Sequence, residues 1–181
     1  TARVEPLIRR IRNAMMEVQF GEAQTSFPVD LPPGRLDWQP DVSLAYGSAQ
    51  ANGWLGIGWD AGAPFIGVDT RWGVPLYSAT VESETYSFEG EELSPTAHRT
   101  TQLPREAERI FTKRVEGDYQ RIQRHGSTPQ DYWWEVQDKV GNKFFYGSTP
   151  ETDVGVPTAV LADDHGARYW WGLVEKRDIS N

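Results

Sequence analysis

The chain has 181 residues, with 18 Lys and Arg against 26 Asp and Glu, and so a formal net charge of −8. That sign disfavours a nucleic-acid partner, because phosphate binding needs a basic face. The absence of Cys excludes a disulfide framework and thiolate chemistry, and no apolar run approaches the ~20 residues of a membrane-spanning helix.

Pro6 to Val18 is the one stretch with helical periodicity: Leu7, Ile8, Ile11, Ala14, Met15 and Val18 recur on one face, and Pro6 suits a first helical position. Arg9, Arg10 and Arg12 on its flank are too few for a membrane-surface helix and read as a solvated rim. This predicts an N-terminal helical segment over residues 1–20, ahead of a β domain over residues 21–181.

From Gly21 the period changes to two. Phe27, Val29 and Leu31 alternate with polar residues until Pro32-Pro33-Gly34, and Val42, Leu44 and Tyr46 alternate again up to Gly47. Further strands are predicted at Phe65 to Val68, Thr85 to Phe88, Arg109 to Val115, Tyr119 to Arg124 and Tyr132 to Asp138. Lys143 to Tyr146 and Arg168 to Glu175 complete the set. Gly141-Asn142 suits a hairpin turn, because both residues tolerate left-handed backbone. Ser94 to Glu108 and Ser148 to Pro157 read as long loops. Short strands with turn signals about every ten residues, and 17 Gly and 12 Pro as punctuation, predict a mainly β chain. The expected architecture is an antiparallel β sandwich or rolled sheet with one N-terminal helix.

Few residues carry a signal for chemistry. His98, His125 and His165 are isolated from one another and lack the spacing of a zinc site. Asp163-Asp164-His165-Gly166 is locally dense in polar groups but lacks the alternating Asp pattern of a calcium loop, so a turn is the better reading. The acidic run Glu82, Glu84, Glu89, Glu91 and Glu92 could supply paired catalytic carboxylates. Glu82 and Glu84, however, fall on one face of an expected strand, the face that usually meets solvent. Asn52-Gly53-Trp54-Leu55-Gly56-Ile57-Gly58-Trp59 contains Gly-x-Gly but no helix opening after it, so the glycines are read as backbone freedom and Trp59 as a plug for the core beneath them. Exposed tryptophans could instead stack on sugars, which keeps a carbohydrate-binding module open.

These blocks together resemble a known family, the N-terminal domain of the Salmonella virulence plasmid B protein, also found in insecticidal toxin complex B components and related Rhs-type repeat toxins. The resemblance rests on Phe27 to Asp30, Pro33-Gly34-Arg35, Leu44-x-Tyr46, Asn52-Gly53 and Leu55-Gly56-Ile57-Gly58-Trp59. It continues through Gly73-Val74-Pro75-Leu76-Tyr77, where Leu76 stands in place of the family's usual Arg, and Phe88-Glu89-Gly90-Glu91-Glu92-Leu93. Arg114-Val115-Glu116-Gly117, Arg121-Ile122, Trp134-x-Val136 and Tyr146-Gly147 follow in order. The match runs from about Gly21 to Arg177, and Val140-Gly141-Asn142 replaces a common Asp-Gly turn.

The resemblance implies a structural role in a secreted bacterial toxin, as part of a shell or delivery module for a toxic enzyme carried elsewhere in the polypeptide. In the plasmid protein that enzyme is an ADP-ribosyltransferase acting on actin, and none of its residues can be placed on this chain. The implied partners are the remainder of the same polypeptide or another toxin-complex subunit, with no nucleic acid and no membrane span. The implied location is outside the bacterium, with the host cytoplasm as a destination after delivery. No catalytic, cofactor-binding or metal-binding residue is assigned, and no cofactor. The alternatives are a carbohydrate or cell-surface binding β module and a glycosidase-like enzyme. Arg168 to Glu175 is apolar on both faces, and the chain begins on Thr1 rather than Met. Both features predict a piece of a longer polypeptide, truncated after Asn181, with that last strand as an adhesive open edge.

Overall fold

In the computed structural model the described residues are 17–19, 22–32, 42–50, 52–53, 55–71, 73–96, 103–115, 117, 119–152 and 159–180. The chain divides between Ala63 and Pro64 into two units.

The first unit is built from Glu17–Gln19 (β1), Glu22–Pro28 (β2), Ser43–Gly47 (β3), Asn52–Gly53 (β4), Gly56–Ile57 (β5) and Trp59–Asp60 (β6). An antiparallel sheet runs in the order β1-β2-β3-β6, and β4 and β5 form a separate small hairpin. Alternation sets its faces: Ala23, Thr25 and Phe27 are half-buried while Gln24, Ser26 and Pro28 are exposed. Trp59 pairs across the sheet with Tyr46, ring centroids 5.2 Å apart, and lies 6.3 Å from Phe27. Gly58, at φ 77°, makes this approach possible, since a Cβ there would stand 2.8 Å from the Tyr46 ring and from the Gly47 carbonyl.

The second unit holds Phe65–Val68 (β7), Tyr86–Phe88 (β8), Glu91–Pro95 (β9), Glu108–Lys113 (β10), Arg121–His125 (β11), Trp133–Gln137 (β12), Lys143–Tyr146 (β13), Val160–Ala162 (β14) and Arg168–Arg177 (β15). Successive strands pair antiparallel from β7 to β13, and β15 closes the sheet by pairing with β7 on one edge and with β14 and then β13 on the other. The result is a closed eight-stranded barrel, with β14 added beside the seam. Eight strands leave an interior that side chains can fill, and they do. Ile66, Tyr86, Phe88, Phe111, Ile122, Trp134, Val136 and Trp171 are all buried. Tyr86 stands at the centre, edge-on to Phe111, Trp134 and Trp171 at 4.9–5.9 Å, the orientation ring quadrupoles favour. The Trp171 indole donates to the Tyr132 carbonyl at 2.7 Å, so its one polar atom is satisfied inside the core.

Several expectations need correcting. The main sheet closes on itself, so the architecture is a barrel plus a small sheet and not a sandwich. Of the predicted helix, residues 6–16 lie outside the described residues. Glu17 and Val18 belong to β1, paired with β2, and there is no helix among the described residues. The strand expected at Phe27 to Leu31 instead runs Glu22–Pro28 and leaves Val29 exposed. Ser94 and Pro95 end β9 instead of opening a loop. Trp59 is half-buried on the small sheet and does not plug a main core. Finally, β15 is no open edge, because barrel closure pairs it on both sides.

Candidate functional site

The inward alternation of β10 and β11 puts Phe111 and Ile122 in the core, and two residues away it puts Arg109 and Arg124 on that same inward face. The register places these two arginines directly opposite each other. Facing like charges repel, and a closed barrel gives them no water. Compensation comes from the segment before β8. Glu82 accepts two hydrogen bonds from Arg124, at 2.6 and 2.7 Å, and lies 3.3 Å from Arg109 Nε and 3.6 Å from Arg105. Glu84 accepts from Arg105 Nη2 at 2.8 and 3.0 Å.

Arg105 also donates to the Ser78 and Val81 carbonyls and, at 2.7 Å, to the Tyr132 hydroxyl. The Arg124 guanidinium lies 3.9 Å from the centre of the Tyr132 ring. Backbone pairing joins the two segments that carry these groups: Glu82 N–H donates to Leu103 O, and Arg105 N–H to Thr80 O. The cluster is buried, with side-chain exposures of 1% for Glu84, 8% for Glu82 and 0% for Arg124. It plugs one end of the barrel.

The electrostatics argue against acid–base work here. Burial alone would raise the Glu82 carboxyl, but the hydrogen bonds and charge of Arg124, with Arg105 and Arg109, outweigh it and hold the group below its ordinary range. Glu82 is therefore an ionised structural anion, whereas a general acid needs a raised value. Desolvation disfavours the charged Arg105 and Arg124, but Glu84 and Tyr132 push Arg105 up, and Glu82, Tyr86 and Tyr132 push Arg124 up. The expectation that Glu82 and Glu84 sit on a solvated strand face is overturned. They precede β8 and point into the arginine cluster. The signal that would have found them is the inward phase of Arg109 and Arg124, which buries cations and demands buried anions.

The other candidates disperse. Glu89 pairs with Lys113 and Glu92 with Arg114, away from Glu82. His98 lies outside the described residues. His125 stacks on Trp133 at 4.1 Å and 11°, with Nδ1 3.6 Å from Glu108. Burial pushes it below its ordinary value against the nearby carboxylates. Asp163 Oδ1 accepts from the His165 and Ala167 N–H groups, which makes Asp163 to Gly166 a turn. No group of three potential metal ligands occurs among the described residues. Gly56 and Gly58 both take left-handed backbone, as the Gly-rich block suggested. Five tryptophans are described. Trp134 and Trp171 are fully buried, and Trp59, Trp133 and Trp170 are half-buried, each against another ring.

A groove of about 560 Å³ is floored by Val68 and Ala167 and walled by Val74, Leu76, Tyr77 and Tyr169, with Asp163 and His165 at its polar side. Tyr77 sits at φ 46°, a strained position for a residue with a side chain. Its hydroxyl is pushed up to about 12, first by burial and then by the negative charges of Asp163 and Glu84.

A family model described as Salmonella virulence plasmid 65kDa B protein matches residues 17–176. Among solved structures, a Photorhabdus luminescens Tc holotoxin pore shares the fold at a TM-score of 0.64 and 23% identity, over 90% of this chain and 8% of that one. TcdB2-TccC3 matches at 0.59 and 24%, over 84% of this chain and 7% of that one. The N-terminal domain of effector protein SpvB from Salmonella typhimurium strain LT2 matches at 0.56 and 24%, over 76% of this chain and 45% of that one. The chain thus spans less than a tenth of the toxin-complex chains and under half of the effector domain. No curated protein matches.

Proposed function

The chain belongs to the Salmonella virulence plasmid 65kDa B protein family, and from that premise we propose that it is a non-catalytic structural domain of a secreted bacterial toxin. In this reading it forms part of a shell or delivery module for a toxic enzyme carried elsewhere, and its partners are the remainder of the same polypeptide or another toxin-complex subunit. Residues 21–181 would then act as one building block of that larger polypeptide.

The observation that carries the reading is the plugged barrel. Its interior is filled by rings and aliphatic side chains, and one end is sealed by Glu82 and Glu84 ion-paired with three arginines. Such a body offers rigidity, and its buried carboxylates are committed to arginines. The half-buried tryptophans lie against neighbouring rings, which speaks for packing over a sugar platform.

The test has two arms. The purified chain, incubated with NAD and actin and separately with a glycan panel, should give no ADP-ribosylation and no cleavage. In the full polypeptide, the toxic segment should resist added protease while the barrel is intact and become cleavable when Glu82→Gln loosens it. NAD consumption by the chain, or equal cleavage in both forms, would overturn the proposal.

A further inference from the structure

We propose that the groove beside Val74, Leu76 and Tyr77 is a docking site for an extended peptide segment in which an aliphatic side chain sits next to a lysine or arginine. This goes beyond the structural role argued above and can fail without it.

Three observations converge. Val74 is 88% exposed and Leu76 84% exposed, and both wall a concave surface that continues onto the half-exposed Tyr169. Single exposed aliphatics are ordinary, but large ones grouped around a groove mark an interaction site. Aliphatic walls also select the partner's class. A Leu, Ile or Val side chain fits between Val74 and Leu76, whereas a sugar would find flat ring faces only at Tyr77 and Tyr169 and none at the two most exposed walls.

The charge is one-sided as well. Among the described lining residues Asp163 is the carboxylate and there is no Lys or Arg; Asp164 adjoins Asp163, while the adjoining cations Arg71 and Arg168 are held by Asp69 and by the Tyr132 carbonyl. A cation beside the aliphatic anchor would meet this side, and an anion would be repelled.

The backbone supports an extended ligand. Gly73 to Ser78 runs between β7 and β8 outside any strand of the barrel, so a partner segment could lie along it in the manner of strand addition. The positive φ of Tyr77 fixes the turn that ends this run, and strain of that kind persists where the surroundings hold it in place.

The experiment is a selection of random heptapeptides displayed on phage against the purified chain, with counter-selection on Leu76→Asp. Because Leu76 is exposed, that variant should keep the parent's circular dichroism and melting temperature. The expected survivors carry an aliphatic residue within two positions of Lys or Arg. A synthetic survivor should bind at least tenfold more weakly to Leu76→Asp, and more weakly to Asp163→Asn at low salt than to the parent. Survivors that are acidic or lack a basic residue, or an enrichment that Leu76→Asp does not remove, would refute the site. So would a glycan that binds the parent and not Leu76→Asp, which would assign the groove to sugar.

Discussion

Replacing Glu82 by Gln keeps the side chain's size and removes its charge, which isolates the electrostatic part of the barrel plug. In the native cluster three buried arginines face two buried carboxylates. After the change Glu84 still holds Arg105 and the half-exposed Glu106 still pairs with Arg109 at 3.2 Å, but the fully buried Arg124 faces Arg109 across β10 and β11 without its own carboxylate. Breaking a buried pair by removing one partner typically costs about 3–5 kcal/mol. For a chain of this size that corresponds to a fall in melting temperature of roughly 6–20 °C. Urea unfolding followed by the fluorescence of the buried Trp134 and Trp171 measures it. Arg124→Met should be destabilising too, and the double variant should recover about 2 kcal/mol or more relative to the sum, since one removed charge relieves the other. A loss under about 1 kcal/mol for Glu82→Gln, or additivity in the double variant, would show that the cluster is hydrated and not a plug.

The same carboxylate sets a pH dependence. Because its folded value lies below the ordinary one, its contribution is complete above the unfolded value and is lost as pH falls through the folded value. Melting temperature should therefore fall more steeply below about pH 4.5 in the parent than in Glu82→Gln, and parallel curves would contradict this. Gly147→Ala should cost about 2–4 kcal/mol by combining a left-handed backbone with overpacking. Its φ is +79°, and a Cβ there would come within 2.5 Å of the Trp171 ring; a neutral effect on unfolding would mean the ring has room to move. Trp171→Ala should cost about 3–5 kcal/mol, whereas the half-buried Trp59→Ala should cost less. The reverse order in denaturant titrations would relocate the core.

Local pattern made most of the barrel's strands legible. Phe65 to Val68 and Lys143 to Tyr146 occupy the expected residues, and β10, β11 and β12 fall within two or three residues of expectation. β12 alternates inward Trp134 and Val136 with outward residues, β10 and β11 place Phe111 and Ile122 inward but turn Arg109 and Arg124 inward as well, and β7 and β13 are short apolar runs, the latter closed by Gly147. The Gly141-Asn142 hairpin was legible for the same reason, although its anchor was not. Asp138 Oδ1 accepts from the N–H groups of Val140, Gly141 and Asn142, a contact that no periodicity announces. β9 was illegible because Leu93 is its one strongly apolar residue among Glu91–Pro95. Glu82 and Glu84 were misplaced because charge was equated with solvent, when the burial of Arg109 and Arg124 had already reversed that rule at this end of the barrel.

Closure could not be read because it is a pairing between β15 and two strands distant in sequence. A strand apolar on both faces admits two structures: an edge awaiting a cover, or the last stave of a barrel with one face inside and the other against its neighbours. Trp170 and Trp171 show how the second is realised. Trp171 enters the core at 0% exposure. Trp170 turns outward and lies over Gly172, where a Cβ would meet its ring at 2.6 Å, and stacks on Phe65 of the paired strand at 5.7 Å. The outer ring thus rests on the Gly172 backbone of its own strand and on the Phe65 ring of β7. Adhesion through open β15 hydrogen bonds is removed by the same pairing that closes the barrel. The large aliphatics most open to solvent around this groove are then Val74 and Leu76, so association of this chain with a partner segment should be sensitive to Leu76→Asp and insensitive to fold-preserving changes along β15 beyond Tyr169, the one β15 residue that lines the groove.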